Sequence, residues 1–207
     1  TQTQVEELAK HARNAARVMG DLRAIAGAGD TPNEFILINA PLRQFLHAAR
    51  PRLERRSIKL TEHYADGLPR IRADVRKLSH LFTNLFAFIE AMLGYMGRGI
   101  SVSSLPSDDR AAVCVRIEIN GLAISQEQTA ALFDPFDNHE RATNEFALSL
   151  AACAAIVQES GGVISAEVQG NTCTFLMRFD SVQAVLAVES ANAPAPAARA
   201  PMPVQQA

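Results

Sequence analysis

Apolar residues recur at three- and four-residue steps through residues 5–26 (Val5, Leu8, Ala12, Ala15, Ala16, Met19, Leu22, Ile25). Charges fill the opposite face, a pattern that predicts an amphipathic helix. Gly27, Gly29 and Asp30-Thr31-Pro32-Asn33 end it. After this break the period changes repeatedly. Residues 35–38 read as a short strand, and Asn39 or Ala40 with Pro41 opens a helix to about Arg56. Residues 58–64 alternate as a strand, and 68–72 form an extended connection. Asp74 caps a long helix over 75–96. Strands follow at 99–105 and 113–119, a short helix at 125–132, and a longer helix at 147–160 closed by Gly161-Gly162. Two last strands, 163–168 and 172–179, flank the turn Gly170-Asn171.

This order predicts three regions. Residues 1–29 are an amphipathic helix whose apolar stripe needs a partner, so the expected assembly is a homodimer through it. Residues 33–182 are an α/β domain, a two-layer sandwich with helices covering one face of a mixed sheet. Residues 183–207 are an Ala/Pro-rich tail without turns or periodicity, expected to be disordered.

Composition narrows the function. A net charge of −2 over 207 residues excludes a generally basic nucleic-acid binder. Glu90 interrupts the longest apolar run, so no membrane span is expected. The polar start Thr1-Gln-Thr-Gln-Val-Glu-Glu does not read as a signal peptide, and three cysteines without paired spacing suit a reducing compartment, so a cytoplasmic protein is expected. Basic residues outnumber acidic ones between Arg43 and Lys77, which reads as a solvated face.

Seven segments in order then resemble one family. Residues 37–46, 53–60, 68–78, His80-Leu-Phe-Thr-Asn84-Leu85, Phe133-Asp-Pro-Phe136, 156–162 and 171–175 are similar to successive segments of the ATP-binding domain of bacterial sensor histidine kinases, in the Bergerat ATPase class. The resemblance implies the Bergerat sandwich and places the first helix where the family has the second helix of its dimerisation stem.

The same resemblance locates a nucleotide pocket, and the residues in it have lost their polar atoms. Asn84 matches the first asparagine of the N box. The second belongs four residues on, where Phe88 stands, and a phenyl ring cannot ligate a hard cation. The family's D-x-G-x-G motif, whose carboxylate accepts from the adenine amine, reads Ile119-Asn120-Gly121-Leu122-Ala123. Ile119 replaces the aspartate and Ala123 the second glycine. The glycine-rich phosphate segment reads Phe146-Ala147-Leu148-Ser149-Leu150. A hydrogen bond to a charged group contributes roughly 1.5–3 kcal/mol, so losing the aspartate alone costs about ten- to a hundredfold in affinity. The expected cofactor content is therefore none, with ATP and magnesium binding lost or very weak, and the pocket formed by Asn84, Phe88, Ile119, Gly121, Ala123, Ala147 and Ser149 is vestigial. Three substitutes stand nearby: Glu90 as a metal ligand, Glu118 if its strand slips by one residue, and Asn120 as a weaker adenine partner.

The expected function is a catalytically inactive histidine-kinase-like module, a pseudokinase that acts in two-component signalling by dimerisation and by contact with a response regulator or another two-component protein. Two alternatives remain open at this stage: a histidine phosphotransferase working without ATP, and a fragment of an active sensor kinase. The phosphotransferase needs an accepting histidine, and His11 is the only one in the first helix. Its neighbours lack the acidic residue and proline usual in the family. His80 reads as structural, and His47, His63 and His139 show no metal or triad spacing.

Overall fold

A computed structural model of the chain describes residues 18–22, 34–93, 99–121, 124–130, 132–134 and 146–184. The domain holds β1 (Glu34–Ile36), α1 (Asn39–Arg55), β2 (Lys59–Tyr64), β3 (Ile71–Ala73), α2 (Val75–Leu93), β4 (Gly99–Pro106), β5 (Ala112–Asn120), α3 (Gln126–Ala130), α4 (Ala147–Glu159), β6 (Gly162–Gln169) and β7 (Thr172–Asp180). Most of the first helix, the tail from residue 185, Ala123, His11 and His139 lie outside the described residues.

Five strands make one sheet in the order β2-β4-β5-β7-β6, parallel only between β2 and β4. The parallel pair needs a crossover, which α2 supplies. A separate two-stranded ribbon pairs β1 with β3 antiparallel, Glu34 opposite Ala73. Sequence pattern had assigned the β3 region only an extended connection. Three residues carry too little periodicity to declare a strand; what makes this one is the partner about 36 residues earlier in the chain.

Alternation sets the two faces of the sheet. Val113, Val115, Ile117 and Ile119 of β5 are buried toward the helices with Phe175, Met177 and Phe179 of β7. Cys114, Arg116, Glu118 and Asn120 take the other face. The helix layer is α1, α2 and α4, and α2 buries Leu78, Leu81, Phe82, Leu85, Phe86, Phe88 and Ile89.

Caps fix where these helices start and stop. The amide of Arg76 donates to Asp74 Oδ1 at 2.8 Å, the N-cap expected from sequence. At the start of α1, Asn39 donates to the carbonyl of Ala65 (3.1 Å) and accepts from Ser104 (2.6 Å), which anchors the helix to the ends of β2 and β4. At its far end the amide of Ser57 donates to Glu54 O (2.9 Å) and that of Ile58 to Leu53 O (3.0 Å). This is a Schellman closure, with Ile58 packed in the core beside Leu53. Its left-handed residue is Ser57, at φ 56°, where glycine would be unstrained. Replacing Ser57 with glycine is therefore expected to raise stability by about 1 kcal/mol, read as a higher urea midpoint at unchanged slope.

The basic band of the sequence is largely consumed internally. Arg52 clamps the carboxylate of Glu90 (2.7 and 3.0 Å), and Arg56 bonds both that carboxylate (3.4 Å) and the Glu90 carbonyl (2.7 Å). Arg50 pairs with Glu62, Lys77 with Glu159, and the guanidinium of Arg43 lies 4.3 Å above the Tyr64 ring. These contacts tie α1 to α2 and to β2, and α2 to α4.

Candidate functional site

His80, Asn84 and Phe88 are spaced four apart on α2, so they form one stripe along the helix. The stripe faces α4, and the seam between the two helices has a polar end and an aromatic end.

At the polar end a carboxylate from the far N-terminal part of the chain fills the seam. Residues 18–22 are helical, and Asp21 within them is fully buried. Asn84 Nδ2 donates to Asp21 Oδ1 at 2.7 Å, His80 Nε2 lies 3.1 Å from the same oxygen, and Ser149 Oγ donates to Oδ2 at 2.8 Å. Gly20 lets the segment approach this closely: a Cβ there would stand 3.3 Å from the His80 ring. Burial by itself would raise the pKa of Asp21. The hydrogen bonds from His80, Ser149 and Asn84 outweigh it and hold the carboxyl below its ordinary value. A depressed acid stabilises the folded arrangement above its unfolded pKa, and that contribution disappears as pH falls through the lower folded value. One acceptor in the cluster is unmatched, since buried Asn84 Oδ1 has no hydrogen-bond partner among the described residues.

At the aromatic end Phe88 is fully buried. Its ring meets Phe146, the residue that opens α4, edge-on at 5.5 Å, and Phe175 of β7 at 6.2 Å. Phe133 extends the cluster, 6.4 Å from Phe175. Ile119 is also fully buried and sits in the sheet between Ile100 of β4 and Cys173 of β7. Gly121 follows at φ 77°, its amide donating to Asn171 O at 2.6 Å. Ala147 is half-buried at the first turn of α4, and no side chain caps that helix.

Of the residues singled out from sequence, the structure brings Asn84 and Ser149 onto one carboxylate and places Phe88 against the start of α4. Ile119 and Gly121 lie on and just beyond the end of β5. The three substitute donors have other engagements. Glu90 is held by Arg52 and Arg56. Glu118 keeps its register opposite Ser101 and Thr174 on the face away from the helices, beside Arg116 at 3.6 Å. Asn120 accepts from Thr172 Oγ1 at 2.9 Å. The strand has not slipped.

Sequence reasoning missed Asp21 and the part His80 plays beside it. The i, i+4 spacing of His80 and Asn84 was a visible signal for a shared ligand; nothing marked Asp21 among the charges of an amphipathic helix. No group of three His, Cys, Asp or Glu side chains able to hold a metal occurs among the described residues, and no described helix is long and apolar enough to cross a membrane.

The thiols differ in exposure. Cys153 and Cys173 are buried, but Cys114 is only half-buried, because it points to the open face of the sheet. Burial pushes the Cys173 thiol up to about 11 and raises that of Cys153 further, with the Asp21 charge adding to the latter. Thiolate is the reactive form, so a disulfide reagent is expected to label Cys114 alone in the native protein and all three cysteines after denaturation.

Comparison with known proteins agrees with this architecture. The family model described as histidine kinase-, DNA gyrase B-, and HSP90-like ATPase matches residues 73–182. The sensor histidine kinase ZraS of Escherichia coli strain K12 is 28% identical over 171 residues, which is 81% of this chain and 36% of ZraS. The chain thus spans about a third of the length of that curated relative. Among solved structures, the nucleotide-free catalytic domain of the histidine kinase ThkA superposes with a TM-score of 0.62 at 19% identity, covering 73% of this chain and 97% of that one. ThkA in complex with the response regulator protein TrrA superposes at 0.65 with 18% identity, covering 86% of this chain and 49% of that one.

Proposed function

The chain belongs to the histidine kinase-, DNA gyrase B- and HSP90-like ATPase family, and on that premise we propose a histidine-kinase-like module of two-component signalling that has given up nucleotide chemistry and acts through protein contacts. The observation that carries the reading is the filled seam between α2 and α4. In the seam Phe88 packs against Phe146, Ile119 is buried in the neighbouring sheet, and Asn84 and Ser149 are spent on Asp21; by the resemblance, these are the positions of an oxygen ligand, a phosphate-binding segment and an adenine-binding carboxylate. A magnesium nucleotide entering here would have to expel a packed aromatic cluster and would find no oxygen ligand in its place.

ThkA binds a response regulator, and a receiver protein of that class is the partner carried over to this chain. Within residues 18–22, Met19 and Leu22 of the predicted stripe are exposed, which suits a homodimer through the N-terminal helix. Three free thiols suit the reducing cytoplasm.

Titration calorimetry of the 207-residue chain with a magnesium-bound, non-hydrolysable ATP analogue tests the reading. The expected result is no saturable heat. Micromolar binding would refute it.

A further inference from the structure

The polar end of the seam carries a second inference, independent of whether nucleotide binds. We propose that His80, Asn84 and Ser149 form a carboxylate-recognition socket whose partner is this chain's own Asp21, so that residues 18–22 are latched to the domain through a releasable ionic contact.

Four observations favour a latch over plain packing. The segment meets the domain through Gly20 and Asp21, while Val18, Met19 and Leu22 are exposed, so apolar burial contributes little to holding it. Three side chains from two helices converge on both carboxylate oxygens, a match in number and polarity that water would otherwise have to supply. The His80 side chain is 28% exposed, which gives the socket an opening to solvent. Asn84 Oδ1 has no hydrogen-bond partner among the described residues when the latch is closed, a penalty that hydration relieves on opening. The closed state is thus specific yet burdened, as a switchable contact requires. Its lever is also well placed: α2 and α4 form the seam, and the latched helix carries the exposed side chains proposed to meet a second copy.

Hydrogen exchange on the full chain tests this, with amides of β5 and β7 as the internal measure of intact folding. Asp21→Asn keeps the shape and removes the charge; Ser149→Ala removes one donor. Each is expected to speed exchange of residues 18–22 by about tenfold or more while leaving β5 and β7 unchanged. Asp21→Glu, which keeps the charge on a longer arm, is expected to retain part of the protection. Unchanged exchange at 18–22 in Asp21→Asn would overturn the proposal, as would a wild-type segment already exchanging at the unprotected rate. Loss of protection on adding magnesium and an ATP analogue would support the latch while refuting the nucleotide-free reading above, so the two claims fail separately.

Discussion

Replacing Ile119 with aspartate is expected to unfold the domain, not to rebuild a nucleotide site. The exchange restores the carboxylate that the family places at this point, and in an open pocket it would be nearly harmless. Here the side chain has no exposed surface and lies in the sheet between Ile100 and Cys173. Losing its apolar burial costs about 2 kcal/mol, and seating an unpaired carboxyl in hydrocarbon adds several more, roughly 4–6 kcal/mol in all. Against a total stability of about 5–15 kcal/mol this removes from about a third to all of it. Circular dichroism should show a thermal midpoint lower by some 15 °C or more, or no cooperative transition at all. The sign of the pH dependence separates this cause from simple cavity formation. Burial raises the pKa of the introduced carboxyl, so the variant stays neutral and best tolerated below about pH 4 and loses stability as pH rises through the elevated value. A variant with native stability at pH 7 would show that the end of β5 opens onto a pocket after all.

Phe88→Ala is expected to cost about 3–5 kcal/mol, because it removes the ring that joins α2, the start of α4 and the sheet. Phe146 and Phe175 would each lose an edge-on contact, and neither side of the gap can collapse onto the other without moving a helix. Phe88→Leu keeps most of the volume and should cost about 1–2 kcal/mol, which separates packing from backbone effects. Urea unfolding measures both. Phe88→Asn restores the family's pattern at the position and is expected to be as damaging as alanine, since its amide would find no partner in the rings of Phe146 and Phe175. If that variant kept its stability and took up magnesium with nucleotide, Phe88 would be a gate over a live site instead of a filler of a dead one.

Much of this molecule was legible in its residue pattern. Val113, Val115, Ile117 and Ile119 alternate cleanly because β5 has one face on the helices and one open, and Asp74 before an apolar run marks the start of α2 by simple capping. The resemblance also picked out a phenyl ring at 88 and a butyl group at 119 at positions where the family has polar atoms, and their loss of metal and adenine contacts is the expectation the nucleotide titration tests. Geometry was needed to judge the substitutes. Glu118 is held away from the helices by strand register, Asn120 accepts from Thr172, and Glu90 is held by Arg52 and the C-cap Arg56, 38 and 34 positions away in the chain.

Local chemistry therefore determined the elements and their caps, because those depend on neighbours within a turn or a strand. Only the tertiary structure decided the long-range partners. Asp21 reaches Asn84 across 63 residues and Ser149 across 128, and a carboxylate acquires a partner at that range by folding, not by spacing. Likewise Phe88 becomes part of a core only once α4 brings Phe146 against it, so the same ring that reads as a lost ligand in the sequence is a packed one in the fold.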